Sequence, residues 1–139
     1  MYHADLQHII DDFELLGDWE QRYQYLVELG EHLPAMPVAL KTPAHRVIEC
    51  MSVVHVAAQP DPAQPEILHY SGDCDTAIIK GAVALLVGLL SGKTATDIIN
   101  LDVDALFQEL QLEENLSPNR HVGIYAIVNK MKAQAAALQ

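Results

Sequence analysis

Two residues in this chain carry a thiol, Cys50 and Cys74, and both sit in settings that could do chemistry. Cys50 lies in Val47-Ile48-Glu49-Cys50-Met51-Ser52-Val53-Val54, between a proline-rich loop and a strand-forming run. A cysteine where a loop enters a strand can be held out from the fold, where its thiolate can act as a nucleophile, whereas one packed into a core cannot. Cys74 lies in Gly72-Asp73-Cys74-Asp75-Thr76-Ala77-Ile78-Ile79-Lys80-Gly81, an acidic turn feeding an apolar helix. A third stretch, Leu116-Ser117-Pro118-Asn119-Arg120-His121-Val122-Gly123, places Arg120 in the first turn of the last helix. A cation there opposes the helix dipole, which points to Asp73, Asp75 or a partner as its counter-charge. Asp73 and Asp75 read as helix caps first and partner contacts second. Lys80, on an otherwise apolar helix, is expected to reach out to solvent. Hairpin geometry returns the chain near its start, so Cys50 and the Gly72 turn should share one end of the sheet.

Other chemistries find no support. There is no Cys-x-x-Cys spacing for a zinc ribbon or a thioredoxin-type site, and no His-Glu-x-x-His among the seven histidines. His55 and His69 could face each other across a hairpin, but two strand histidines on a solvent face are ordinary, and no metal site is assigned. No Ser-His-Asp order or glycine-rich phosphate loop is present. The net charge of −11 and only eight basic residues disfavour nucleic acid. An acidic surface aids solubility and suits a partner with a basic docking patch. The longest apolar run, Ala82 to Leu90, is too short to span a membrane, and no basic region followed by an apolar stretch marks Met1-Tyr2-His3-Ala4-Asp5 as a leader. A soluble protein of the reducing cytoplasm is expected.

The elements follow from periodicity and punctuation. Leu6, Ile9, Ile10, Phe13 and Leu16 share one helical face, closed by Gly17. Asp18 caps a second helix to about Leu33, with Trp19, Tyr23 and Leu26 toward the core. Pro34, Pro37 and Pro43 keep the next stretch in a loop. A hairpin is predicted from strands at about 52–59 and 66–71, turning at Pro60-Asp61-Pro62. Centred on Pro62, it pairs Val54 with Tyr70, Val56 with Leu68 and His55 with His69. A buried helix from about Thr76 to Leu90, a short one to Asn100, one from Asp102 through Leu112, and a last one opened by Ser117-Pro118 complete the chain. The fold class is α+β: a small antiparallel sheet against about five to six helices, forming a single domain over 1–139.

Taken together, these stretches resemble the SufE/CsdE family of sulfur-acceptor proteins, which work with cysteine desulfurases in iron–sulfur cluster assembly. The resemblance rests on Asp18-Trp19-Glu20-Gln21-Arg22-Tyr23, the Cys50 stretch, Gly72 to Gly81, Asp97-Ile98-Ile99-Asn100-Leu101-Asp102, and Leu116 to Gly123. It implies a SufE/IscU-like fold. It also implies that Cys50 takes sulfane sulfur from a desulfurase persulfide and carries it as its own persulfide. His45, Arg46, Lys80 and Arg120 are then candidates to favour the thiolate. The implied partner is a pyridoxal-phosphate cysteine desulfurase, with an iron–sulfur scaffold complex as a further one. The chain itself would hold no cofactor beyond the covalent persulfide, acting as a carrier and desulfurase activator rather than a stand-alone enzyme. A regulatory module of the same fold with altered sulfur transfer, or a metal- or cluster-binding scaffold, is the alternative.

Two departures from the family pattern surround the acceptor. Glu49 stands where glycine is usual, removing backbone freedom and adding a carboxylate beside the thiol. His55 stands where tryptophan is usual and would offset that charge if protonated. Cys74 stands where relatives often have serine, and a cysteine ligand occupies a comparable turn in the scaffold protein. An approach of Cys50 to Cys74, as a disulfide or a two-cysteine relay, is expected on that ground.

Overall fold

Capping residues set the first two helices. In the structure, a computed structural model describing residues 5–139 without the side chains of Glu113 and Asn119, α1 spans Leu6–Leu16 and α2 spans Trp19–His32. Asp5 accepts from the Gln7 amide and Asp18 from the Gln21 amide, each satisfying a free N–H of the first turn. Met1 to Ala4, read above for a leader, lie outside the described residues.

Strand β1, Val54–Pro60, pairs antiparallel with β2, Ile67–Cys74, and a short β3, Lys93–Thr94, extends the sheet to three strands in the order β1-β2-β3. Strand β3 has no counterpart in the sequence reading, since two residues carry no periodicity. The hairpin register also differs from expectation. Val54 pairs with Cys74, Val56 with Gly72, and His55 with Asp73 rather than His69. The cause is a wider turn. Asp61 accepts from the amides of Ala63 and Gln64, its own amide donates to the Ile67 carbonyl, and the turn centres on Gln64 instead of Pro62. The slip is by an even number of residues, so the faces survive: Val54, Val56, Leu68 and Tyr70 all stay buried on one side.

Helix α3, Ala77–Leu90, runs through the middle of the core, buried from Gly81 onward. It packs on α2 at very close range. A Cβ on Gly81 would lie 2.1 Å from the Leu26 carbonyl oxygen, so only glycine allows this contact. Thr94 caps α4, Ala95–Ile99, and Asp102 caps α5, Val103–Glu109. The helix expected to run to Leu112 breaks earlier. Gln111 takes a left-handed conformation, φ 57°, and its side-chain oxygen accepts from buried Arg22. A single turn, α6, follows at Leu112–Asn115. The last helix, α7, spans Pro118–Ala137 and is capped by Ser117. It lies against the sheet, where the Tyr70 hydroxyl donates to the Met131 carbonyl at 2.6 Å and Gln134 donates to the Val56 carbonyl at 2.7 Å. Among the described residues, no helix is long and apolar enough to cross a membrane.

Candidate functional site

The Cys50 loop is closed on both sides. On one, Arg46 bridges to His55 and the Val47 amide donates to the Val54 carbonyl at 2.9 Å. On the other, the Val53 amide donates to Asp75 Oδ1 at 3.0 Å and the Asp75 amide donates to the Val53 carbonyl at 3.3 Å. Residues 48–53 are thus a short loop pinned between the start of β1 and the end of β2. This places Cys50 and Cys74 at the same end of the sheet.

Of the two settings open to Cys50, held outward or packed inward, the structure shows the second. Cys50 is 8% exposed and joins the hydrophobic core. The reason lies on α7. Ser117, Arg120 and Gly123 recur at helical spacing on the face toward the loop. Gly123 leaves room that the Cys50 side chain fills: a Cβ there would be 2.7 Å from Cys50 Sγ. The loop around the thiol is nonetheless open to solvent. Ile48 is 79% exposed, Met51 83% and Val53 40%, and Val122 on α7 adds a further exposed apolar side chain. A groove of about 290 Å³ is lined by Met51 of this loop together with Cys50, Ser52, Thr76, Ile79, Ser117 and Arg120. The thiol therefore sits in the wall of a groove that Met51 and Ile79 share with the hydroxyls of Ser52, Thr76 and Ser117 and with Arg120.

The other candidate residues divide into two groups. Cys74, Asp75 and Arg120 stand with Cys50. Cys74 is buried, and the Thr76 amide donates to its Sγ at 3.4 Å. Burial pushes the Cys74 thiol up to about 11; the charges of Asp75 and Cys50 add to this, against the Thr76 amide and a hydrogen bond with Ser52. Asp75 holds the Val53 amide and the Thr76 hydroxyl, rather than capping α3 as expected. The N-cap position of α3 is Thr76, whose hydroxyl is engaged with Ser52 at 2.7 Å. Arg120 makes no ion pair with Asp73 or Asp75 among the described residues and lines the groove.

Asp73, Lys80 and His55 belong elsewhere. Strand alternation turns Asp73 and His55 to the face away from Cys74. Asp73 is in β2, not in a turn. It pairs with Lys41 at 2.7 Å and Lys80 at 3.6 Å. Burial raises its carboxyl pKa, but the Lys41 hydrogen bond, the Cys74 amide and the lysine charges outweigh this and hold it below the usual carboxylate range. Lys80 thus reaches the surface as expected, about a third exposed, and its ammonium is turned toward Asp73. Burial and the charges of Arg46 and Lys41 lower the His55 pKa from its usual value, against Asp73, so its imidazole is less readily protonated to offset Glu49. Glu49 itself lines a different groove, with Arg46, Ile48, Asn129 and Lys130. The His55–His69 pair does not form: His69 bonds Asp61 at 2.8 Å. Among the described residues, no three His, Cys, Asp or Glu side chains converge to hold a metal.

Sequence reasoning missed Gly123, Ser52, Thr76 and Lys41. Gly123 carried a signal, since glycine inside a helix is unfavourable unless something packs closely against it. The other three carried none that a pattern could reveal.

The sequence matches the SufE family, described as an Fe-S metabolism associated domain, over residues 7–135. The chain belongs to the SufE family. An uncharacterised SufE-like protein of Rhizobium etli is 39% identical over 97% of this chain and 92% of its own length. Another, of Rhizobium meliloti, is 36% identical over 95% of each. The solution structure of a hypothetical protein from Thermus thermophilus superposes with a TM-score of 0.76 at 22% identity, covering 99% of this chain and 98% of that one, and shows the same fold. Membership of SufE associates the chain with iron–sulfur metabolism.

Proposed function

We propose that this SufE-family chain accepts sulfane sulfur from a pyridoxal-phosphate cysteine desulfurase onto Cys50 and thereby stimulates that enzyme. The observation that carries the reading is Cys50 at the wall of an open groove, on a loop whose Ile48, Met51 and Val53 present apolar side chains to solvent. Exposed apolar side chains grouped in this way fit a partner surface. In the transfer, the Cys50 thiolate attacks the outer sulfur of the enzyme's persulfide. A Cys50–sulfur bond forms, the enzyme's sulfur–sulfur bond breaks, and the enzyme's cysteine leaves as a thiolate. No net oxidant is consumed. Because Cys50 packs under α7, the loop must turn its thiol outward for the attack. Docking of a partner on Met51 and Ile48 supplies a means to draw the loop out. Arg120, at the groove, places a positive charge beside the anionic sulfur.

The test is direct. The chain is incubated with a purified desulfurase and L-cysteine, and intact-mass and peptide mass spectrometry read the sulfur. One sulfur atom should appear on Cys50, with faster cysteine turnover. Equal labelling of a Cys50→Ser variant, or no labelling at all, rejects the reading and leaves a binding or regulatory module of this family.

A further inference from the structure

The chain holds a second thiol at the same end of the sheet, and the acceptor reading gives it no task. Cys74 and Cys50 share one buried cluster, and both are free thiols. Hydroxyls link their surroundings. Ser52 and Thr76 bond each other at 2.7 Å, the Thr76 amide meets Cys74 Sγ, and both residues line the groove that Cys50 walls. The backbone pairs Val53 with Asp75 and Val54 with Cys74, so the two segments are held together.

We propose that Cys74 is a resolving thiol for a persulfide on Cys50, converting its cargo to hydrosulfide and leaving a Cys50–Cys74 disulfide. This rests on Cys50 as a persulfide carrier. Cys74, as its thiolate, attacks Cys50 Sγ. The Cys50–Cys74 bond forms, the bond to the outer sulfur breaks, and that sulfur leaves with the electron pair as hydrosulfide. The two thiols are oxidised and the sulfane sulfur is reduced, so the step balances without an outside oxidant. A dithiol reductant restores the pair for another cycle. Burial, Asp75 and Cys50 all disfavour the Cys74 thiolate, and Arg120 is the cation on α7 that lines the groove. The carrier therefore keeps its persulfide near neutral pH and discharges it slowly.

The experiment loads reduced chain in two ways, with inorganic polysulfide and with desulfurase plus cysteine. Excess donor is removed, and released hydrosulfide and the peptide-mapped disulfide are followed. The wild type should release one hydrosulfide per persulfide lost and gain the 50–74 disulfide. The rate should rise about tenfold per pH unit between pH 7 and 9, following the thiolate fraction. Cys74→Ser should retain its persulfide and release none. Wild type holding its persulfide as long as Cys74→Ser, or a disulfide only between chains, overturns the inference. Discharge after polysulfide loading but no loading by the desulfurase would sink the acceptor reading alone. Loading by the desulfurase without discharge would sink the resolving role alone.

Discussion

Replacing Gly123 by alanine tests how Cys50 is held. Gly123 lies inside α7 without a positive φ, so helix propensity alone favours alanine by about 0.5–1 kcal/mol. The new Cβ would sit 2.7 Å from Cys50 Sγ, 3.5 Å from its Cβ and 3.7 Å from its Cα. Only the first is a clash, and a rotation that moves Sγ relieves it. Overpacking of this kind costs about 1–3 kcal/mol. That cost falls on the inward thiol alone, so the population of outward thiol should rise about 5- to 150-fold. Net of the helix gain, global stability should fall by no more than about 2.5 kcal/mol. The assay is the native-state alkylation rate of Cys50 by iodoacetamide, in a Cys74→Ser background so that one thiol reports. Urea unfolding gives the stability. With Cys50→Ala the clash vanishes, and Gly123→Ala should then be stabilising. An unchanged or slower alkylation rate, or the same stability cost with Cys50→Ala, would refute packing against Gly123 as the restraint.

Gly81→Ala should behave in the opposite way. Its Cβ meets the Leu26 carbonyl at 2.1 and 2.5 Å, which is backbone and cannot swing aside, so α2 and α3 must part. A loss of at least about 3 kcal/mol is expected from the urea midpoint, and a near-neutral result would contradict the close packing. Arg22→Met keeps the apolar stem but strips the bonds to the Phe13 carbonyl, at 2.8 Å, and Gln111 Oε1, at 2.9 Å. Thermal unfolding should show about 1–3 kcal/mol lost; an unshifted melting temperature would speak against Arg22 as the tie that fixes Gln111. For Asp73 the sign follows from a folded pKa below the ordinary 3.8. The Lys41–Asp73–Lys80 group stabilises above that value and is lost as pH falls through the folded one. These side chains are about a third exposed, so Asp73→Asn should cost only about 0.2–1 kcal/mol, less at high salt, and should flatten the acid limb of the stability profile.

Local rules carried the helices well. Asp18, Asp102 and Ser117 each accept from an amide of the following turn, which is why those starts are legible. The alternation of Val54, Val56, Leu68 and Tyr70 marked the buried face of the hairpin even though its pairing was shifted. Asp61 decided the pairing, and a carboxylate can serve several turn lengths. Asp73 and Asp75 look equally good as caps in the sequence. The register turned one toward Lys41 and Lys80 and joined the other to Val53.

The sequence by itself determined the family, the α+β order of elements and the cysteine worth testing, because these depend on residue types and short-range spacing. Only the tertiary structure decided the setting of that cysteine. Gly123, far along the chain on α7, admits the Cys50 side chain into the core. Strand alternation takes His55 and Asp73 to the face away from Cys74, and the register brings Cys74 beside the loop. Burial and charge at the site come from elements that meet only on folding, so no window of sequence around Cys50 contains them.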